Sequence, residues 1–548
     1  MSVFQITILS DGKKTRIKDQ LLEVDVQYEI NRIPYALLIF DDGDLEGNGF
    51  KLSNSKYFIP GKELEIKIEY TNKPETETTL FKGIIVKQAI EADINASKLI
   101  VELRDVAFKM TTVRQNNVFR AQTHEEIFND IITTYGLEAD IKDESGVVYE
   151  ELVQYYCSDW DFILSRADLH GLWTWLKQGK LFIIDPAKID TTNELPKHSF
   201  ELGIDTILNL HLEVNATHQI GQVHGQAWSI TNNIGIEGSA SDTPIKLPGD
   251  LKPTELAEAV GAEKTHIQSI VAMQQTEMDR WIQGKINRSR LAMYRGNLTI
   301  YGNPYIELTD TIEVAGISTR FNGNAIATGV RHRISEEGWF TDIQFGLNPH
   351  SYVTQHKVEA EEAGGLLPGI NGVQLGIVAP RQEDPEGLHR IEVIIPALDN
   401  TTVWARVASP YAGNSRGILF FPEENDEVIV GFLNDDPRQA IVLGSLYNKD
   451  TFLPGDDGES NEQNHQKGIF SREGIQIKLN EEKKTLEVST SQDQYIKLDE
   501  DTESIEIQDK HGNQIIMDQA GIHFVSTDAI NMEAKGKIVI KGSEVDVQ

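Results

Sequence analysis

"GIHFVSTDAINMEAKGKIVIKGSEVDVQ", Gly521 to Gln548, sets single apolar residues between polar ones in short steps. Apolar pairs at i, i+2 recur back through the residues before it: Ile475/Ile477, Leu486/Val488, Ile496/Leu498, Ile505/Ile507, Ile515/Met517, Ile522/Phe524, Ile530/Met532, Ile538/Ile540 and Val545/Val547. Successive pairs start 11, 10, 9, 10, 7, 8, 8 and 7 residues apart. Such alternation marks strands with one apolar face. A period near eight marks a repeat architecture rather than a globular domain. One copy of the segment leaves a narrow apolar stripe in water and every strand edge unpaired. The units are too short for a wide single-chain solenoid. The pattern therefore predicts three identical chains wrapped about one axis, with these apolar side chains forming a thin shared core. An ordinary antiparallel sandwich is the plainer alternative, but a sandwich tolerates irregular spacing and this segment has little.

The chain has 548 residues, enough for several domains. Its 39% hydrophobic and 25% charged content is that of an ordinary folded chain. The net charge of -34 repels phosphate backbones, so no nucleic-acid partner is expected. A single cysteine, Cys157, excludes an intrachain disulfide and a cysteine-based zinc site. The opening "MSVFQITILSDGKKTR" has no apolar h-region, so no signal peptide is expected. No apolar run approaches the ~20 residues of a membrane-spanning helix.

The first hundred residues read as strands, among them Tyr35–Asp44, Glu63–Tyr70 and Leu80–Ile90. "THEEIFNDIITTYG" is a helix with a Thr123/Glu126 capping box and a stop at Gly136. "SDWDFILSRADLHG" is a second, capped by Ser158 with Asp161 answering and stopped at Gly171. Helical stretches at "TELAEAV" and "TEMDRWIQGKINRSRLAMYR" follow, the second weakened by its internal glycine. Alternating strands return from Arg320 to Leu347, and an acidic Gly/Pro-rich stretch, Glu359–Gly372, marks a boundary. The expected domains are 1–370, 371–449 as a small all-β barrel, a polar neck at 450–474, and the repeat at 475–548. The fold class is mainly β with some α.

No motif carries convincing catalysis. "GNSRG", Gly413–Gly417, satisfies G-x-S-x-G, but a nucleophile elbow at Ser415 needs a strand before it and a helix after it. Both flanks here read as β. "DDGDLEG", Asp41–Gly47, resembles the start of a calcium loop through Asp42, Asp44 and Glu46. The twelfth position is Ser53 where that loop requires Glu, so a solvated turn is expected. The histidines are scattered without zinc spacing. An inward His523 would meet its two symmetry mates in a three-chain rod, but alternation between Ile522 and Phe524 turns it outward. No catalytic residue, metal or cofactor is expected.

Four stretches carry a family resemblance: "DWDFILSRADLHGLW" (Asp159–Trp173), "FNGNAIATGVRHRISEEGWFTDIQFGL" (Phe321–Leu347), "DPEGLHRIEVIIP" (Asp384–Pro396) and Val403–Asn448. The last is the most specific, with matching Gly, Pro and Asp punctuation over more than forty residues. Together they resemble the valine-glycine repeat (VgrG) spike family of contractile injection systems, a fusion of phage tail hub and central spike. The resemblance implies a tube-binding hub of β-barrel-like domains with helices, an oligonucleotide/oligosaccharide-binding (OB) barrel, and a triple-stranded β-helix needle formed by a homotrimer. It implies inner tube and baseplate partners at the hub, a conical tip protein of the proline-alanine-alanine-arginine (PAAR) repeat kind at the needle's end, and toxin cargo. The target membrane is met only during puncture. No lysozyme-sized insertion precedes the needle and no toxin domain is expected after it, so the expectation is a non-enzymatic spike. It would be made in a bacterial cytoplasm and carried in a released, extracellular phage-tail-like particle, favoured over a type VI secretion system or a phage. The rivals are a cell-wall hydrolase and an adhesin that binds carbohydrate on barrel aromatics Trp404, Tyr411, Phe420 and Phe421. For those aromatics core packing is the simpler reading.

Overall fold

The computed structural model of the protein describes residues 4–547 other than 16, 18, 19, 44–48, 72, 95, 190–195, 450–453 and 455–463, with the backbone alone at 73–76. The chain falls into two compact units, Met1–Ala360 and Glu361–Gln548. The division lies inside the acidic Gly/Pro-rich stretch.

The first unit is built on one 13-stranded sheet. Period-2 patterning explains its strands. In Tyr35–Asp41 every second residue, Ala36, Leu38 and Phe40, is fully buried, and in Glu63–Tyr70 the same holds for Leu64, Ile66 and Ile68. The sheet is joined across a long sequence gap. Leu21–Glu29 lies antiparallel to Gly323–Ser335, with Tyr28 opposite Val330, Val26 opposite His332 and Val24 opposite Ile334. Two apolar cores result, one from the N-terminal strands with Ile334 and Trp339, the other from residues between Trp173 and Phe345 with Ile30, and Tyr28 packs against both.

A helical lobe inserts between the two halves of the sheet in sequence. Helix α1 (His124–Thr134) begins at a complete capping box: Thr123 Oγ1 accepts from the Glu126 amide, and the Glu126 carboxylate accepts from the Thr123 amide. Helix α2 (Asp159–Leu169) is capped by Ser158, whose Oγ accepts from the Asp161 amide at 3.1 Å. Both helices cover a three-stranded sheet of Glu138–Lys142, Trp173–Lys177 and Lys180–Ile184. After a short helix α3 (Pro253–Ala259), helix α4 (Gln275–Leu291) lays Met278, Ile282 and Ile286 on a second small sheet.

The glycine that weakens α4 by propensity has a packing reason. A Cβ on Gly284 would stand 2.9 Å from the Cα of Gly171, and one on Gly171 would stand 2.6 Å from the Cα of Gly284. The turn after α2 thus touches α4 backbone to backbone. Gly171 also holds φ +71°, which favours glycine. Gly284→Ala gains helix propensity but pushes two backbones apart, and overpacking costs about 1–3 kcal/mol. The expected net loss is read as a lower urea midpoint for the Gly284→Ala variant.

The second unit opens with a closed five-stranded barrel: Val373–Val378, Ile391–Ile395, Thr401–Val407, Ala440–Leu446 and Glu427–Phe432 in order around it. Val393, Ala405, Val428, Val430 and Val442 fill its interior. The "DPEGLHR" stretch is a loop wound on Asp384, whose carboxylate accepts from the amides of Glu386, Leu388 and Arg390 and from the Arg390 guanidinium.

A seven-stranded antiparallel meander follows, with strands Gln466–Phe470, Gln476–Asn480, Thr485–Ser489, Tyr495–Asp499, Ser504–Gln508, Gln514–Asp518 and Gly521–Val525. Its first strand lies in what the sequence reads as the neck. Most of the rest of that neck, 450–453 and 455–463, lies outside the described residues. From 526 to 547 the chain forms no strand.

Candidate functional site

Five-residue strands with apolar residues at positions two and four place two apolar columns on one face of the meander. One column runs Ile469, Ile477, Val488, Ile496, Ile507, Ile515 and Phe524, each directly opposite the next. The other runs Leu479, Leu486, Leu498, Ile505, Met517 and Ile522. On the reverse face Lys478, Glu487, Lys497 and Glu506 stand opposite one another in alternating sign. Opposite charges across strands favour this register, and a slip of one residue would exchange the faces.

The apolar face is in water. Of the predicted core residues Ile515 alone is half-buried; Ile475, Ile477, Leu486, Val488, Ile496, Leu498, Ile505, Ile507, Met517, Ile522 and Phe524 are exposed. So are Ile530, Met532, Ile538, Ile540, Val545 and Val547, the last at 87%. Val488, Ile496, Ile507, Ile515, Phe524 and Ile530 line an open groove of about 600 Å³. A contiguous apolar surface of this size marks an interaction site, and burying the remaining half of each such side chain is worth roughly 1 kcal/mol.

Two details differ from the sequence reading. Ile475 stands before its strand, where its carbonyl accepts from the Ser471 amide; the in-register pair is Ile477/Leu479. The repeat also has two regimes. Through Val525, loops join strands into hairpins within the chain, which sets the longer spacing. Beyond it, where pairs recur every 7–8 residues, no ladder forms among the described residues. Asn513 holds the changeover, its Oδ1 accepting from the Thr527 amide and the Ser526 hydroxyl. His523 lies opposite Ile516 on the charged face, exposed, 3.4 Å from Asp518.

A second cluster was hidden from the sequence. His124 on α1, Asp143, and Arg166 and His170 on or just after α2 meet Tyr149 and Glu277 of α4 in the helical lobe. Asp143 Oδ2 lies 3.2 Å from His124 Nδ1 and 3.0 Å from His170 Nδ1. Arg166 donates from Nε to His124 Nε2 (3.1 Å) and from Nη2 to Tyr149 (2.9 Å) and Glu277 (2.6 Å). Two histidines and a carboxylate suggest a metal. The outer partner argues otherwise. A ligating imidazole gives its other N–H to an acceptor, whereas His124 Nε2 accepts from a guanidinium. His124 therefore carries its proton on Nδ1, directed at Asp143, and the cluster is a hydrogen-bonded staple. These residues are spread over 154 positions from His124 to Glu277, with no metal-ligand spacing among them, so no spacing motif announces them.

Burial pushes the His124 imidazole down to about 4, only partly offset by its hydrogen bond to Asp143. Burial alone would raise the Asp143 carboxyl, but hydrogen bonds from both histidines hold it well below the usual carboxylate range. The sign follows. The unfolded chain takes a proton on His124 near pH 6.5 and the folded chain does not, so this stability is present above pH 6.5 and is lost as pH falls toward 4. A loss of about 3 kcal/mol by pH 4 is expected. Melting temperatures between pH 7 and 4.5 should fall for the natural chain, with a shallower slope in His124→Asn.

The remaining motifs find plain roles. Ser415 sits at the tip of the hairpin Ala412–Gly413/Arg416–Gly417 with φ +57°, between β flanks. Asp42 is buried and accepts from the amides of Leu52 and Ser53, fixing a turn; Asp44, Glu46 and Gly47 lie outside the described residues. Among the barrel aromatics, Phe421 packs on the core and Trp404 lies under Arg390. Core packing does not account for Tyr411 and Phe420, which are exposed.

Residues 1–336 match the family described as the Alg8 N-terminal domain, and residues 374–447 match the type VI secretion system/phage-baseplate injector OB domain. The chain is 22% identical over 80% of its length to the type VI secretion system spike protein VgrG1c of Pseudomonas aeruginosa, and 21% identical over 70% to VgrG1b of the same organism. It spans 63% and 53% of the lengths of those two proteins. A 43 kDa prophage tail protein from Shewanella oneidensis, 11% identical, matches 63% of this chain and 99% of its own with a TM-score of 0.48. The chain belongs to the Alg8 N-terminal domain family, carries a type VI secretion system/phage-baseplate injector OB domain, and is similar to VgrG spike proteins of type VI secretion systems.

Proposed function

We propose that the protein is the structural, non-enzymatic central spike of a contractile injection system, working as a homotrimer. The observation that carries this reading is the exposed two-column apolar face, continued by a segment with strand alternation that forms no strand among the described residues. Two further copies supply what both lack: side chains to cover the columns, and backbone edges for 526–547. A closed assembly leaves no edge open. Residues 1–360 bind the inner tube and baseplate, the barrel joins them to the needle, and the needle carries a PAAR-type tip protein near Val547. Sheath contraction supplies the work of puncture and the spike stays folded under load. Toxin cargo travels in the tube or on the tip. The parent machine in this reading is a released extracellular particle, assembled from protein made in the bacterial cytoplasm. Lysine-directed cross-linking of the purified full chain tests the assembly: the band ladder should end at three. A ladder ending at two, or running on without limit, would count against it.

A further inference from the structure

Asparagine is a chemically labile residue, and most so before glycine. The glycine amide nitrogen attacks the asparagine side-chain carbonyl, and a residue without a Cβ leaves that approach open. The sequence has three such pairs: Asn48–Gly49, Asn322–Gly323 and Asn371–Gly372. Asn48 lies outside the described residues. The other two differ in what governs the reaction.

Asn322 is held. It is half-buried, its Oδ1 accepts from the Ile317 amide at 3.0 Å, and its own amide donates to the Ser318 carbonyl at 2.9 Å. Gly323 begins the strand Gly323–Ser335, in register with Val314 of the neighbouring strand. Asn371 stands in water. It and Gly372 are both exposed, and a Cβ on Gly372 would meet nothing within 4 Å. Among the described residues the Gly372 amide has no hydrogen-bond partner. No ladder restrains that amide from giving its proton to water and turning onto the side chain.

The position gives the reaction a structural consequence. Asn371 follows Ile370, whose amide donates to the Asp435 carbonyl at 2.8 Å and whose side chain packs on the barrel core. It precedes by two residues Val373, which opens the first barrel strand opposite Gly431. Asn371 Nδ2 donates to Glu362 Oε1 at 3.1 Å, tying the turn Glu362–Gly365 of the acidic stretch to the foot of that strand. We propose that Asn371 is a site of spontaneous deamidation and that its conversion undoes this tie. The Gly372 nitrogen bonds to Asn371 Cγ and gives up its proton. The bond from Cγ to the side-chain nitrogen breaks, and ammonia leaves with that proton. Water then opens the cyclic imide, giving aspartate by one carbonyl and isoaspartate by the other. No oxidant or reductant takes part. Either product sets a carboxylate against Glu362 where an amide donated, so attraction becomes like-charge repulsion. Isoaspartate also adds one carbon to the backbone between Ile370 and Val373. The chemistry belongs to the single chain and does not depend on the assembly proposed above.

The test keeps the purified full chain in mildly alkaline and in mildly acidic buffer and follows the three pairs by peptide mapping with mass spectrometry. Conversion should appear at Asn371 before Asn322, and faster in the alkaline sample, because the attacking amide must lose its proton. Asn371→Gln, which would have to close a larger ring, should stay intact. Asn371→Asp installs one product directly. A glutamate-specific protease should then cut after Glu361 about two- to fivefold faster than in the natural chain, the ratio that one exposed polar contact provides when cleavage follows local opening. Adding Glu362→Gln, which removes the like charge, should bring the rate back. An Asn371 that survives prolonged alkaline incubation, conversion of Asn322 first, or equal cleavage of the natural chain and Asn371→Asp would overturn the proposal.

Discussion

Ile496→Asp is expected to take the assembled spike apart while leaving the single chain folded. Ile496 stands mid-column between Val488 and Ile507. Alone, the chain exposes it, and a surface substitution there changes stability by about 0.5 kcal/mol or less. In the trimer three aspartates would face one narrow axis. Burying an unpaired carboxylate costs several kcal/mol, and the threefold axis repeats the cost while adding like-charge repulsion. The association constant should fall by more than about a thousandfold. Light scattering at micromolar concentration should then find one chain, where three are expected of the natural protein. Glu487→Gln, on the charged reverse face, should leave the mass unchanged. An Ile496→Asp protein that keeps the natural mass would remove the apolar columns from the interface.

Arg166→Leu should give the largest loss within the first unit. The guanidinium reaches His124, Tyr149 and Glu277 at once and lies over the Tyr149 ring. Leucine leaves the Glu277 carboxylate buried without its partner and His124 Nε2 without a donor. Breaking a buried pair from one side costs about 3–5 kcal/mol. The urea midpoint followed by circular dichroism should drop accordingly. Adding Glu277→Leu should restore much of the loss, because the uncompensated charge is the main cost. A loss below about 1 kcal/mol in the single variant, or no recovery in the double one, would mean the staple does not hold α4 to the lobe.

What the sequence showed and hid follows from the range of the interactions. Caps are local, so the Thr123/Glu126 box and the Ser158 cap are legible within four residues. Strand alternation is local too, and it exposes the apolar columns before any register is known. Register itself depends on loops and cross-strand pairs, which is why alternation alone selects Ile475 as a column residue in place of Leu479. The single apolar pair in "QKGIF" is too short a pattern to mark Gln466–Phe470 as a strand. Gly284 illustrates the opposite error: propensity sees a weak point in a helix, while the contact with Gly171 that needs it is more than a hundred residues away. The joining of Leu21–Glu29 to Gly323–Ser335 and the meeting of His124 with Glu277 leave no mark at any short spacing. Long-range polar clusters of this kind are visible only once the backbone has brought their members together.

The measurement that tests the central claim most directly is the native mass of the purified, unaltered chain by light scattering after size exclusion. Three chains of 61.4 kDa are predicted, with no change on dilution through the micromolar range. A folded particle of one chain's mass would contradict the account, because the two apolar columns and the exposed apolar residues after Val525 would then have nothing to bury them.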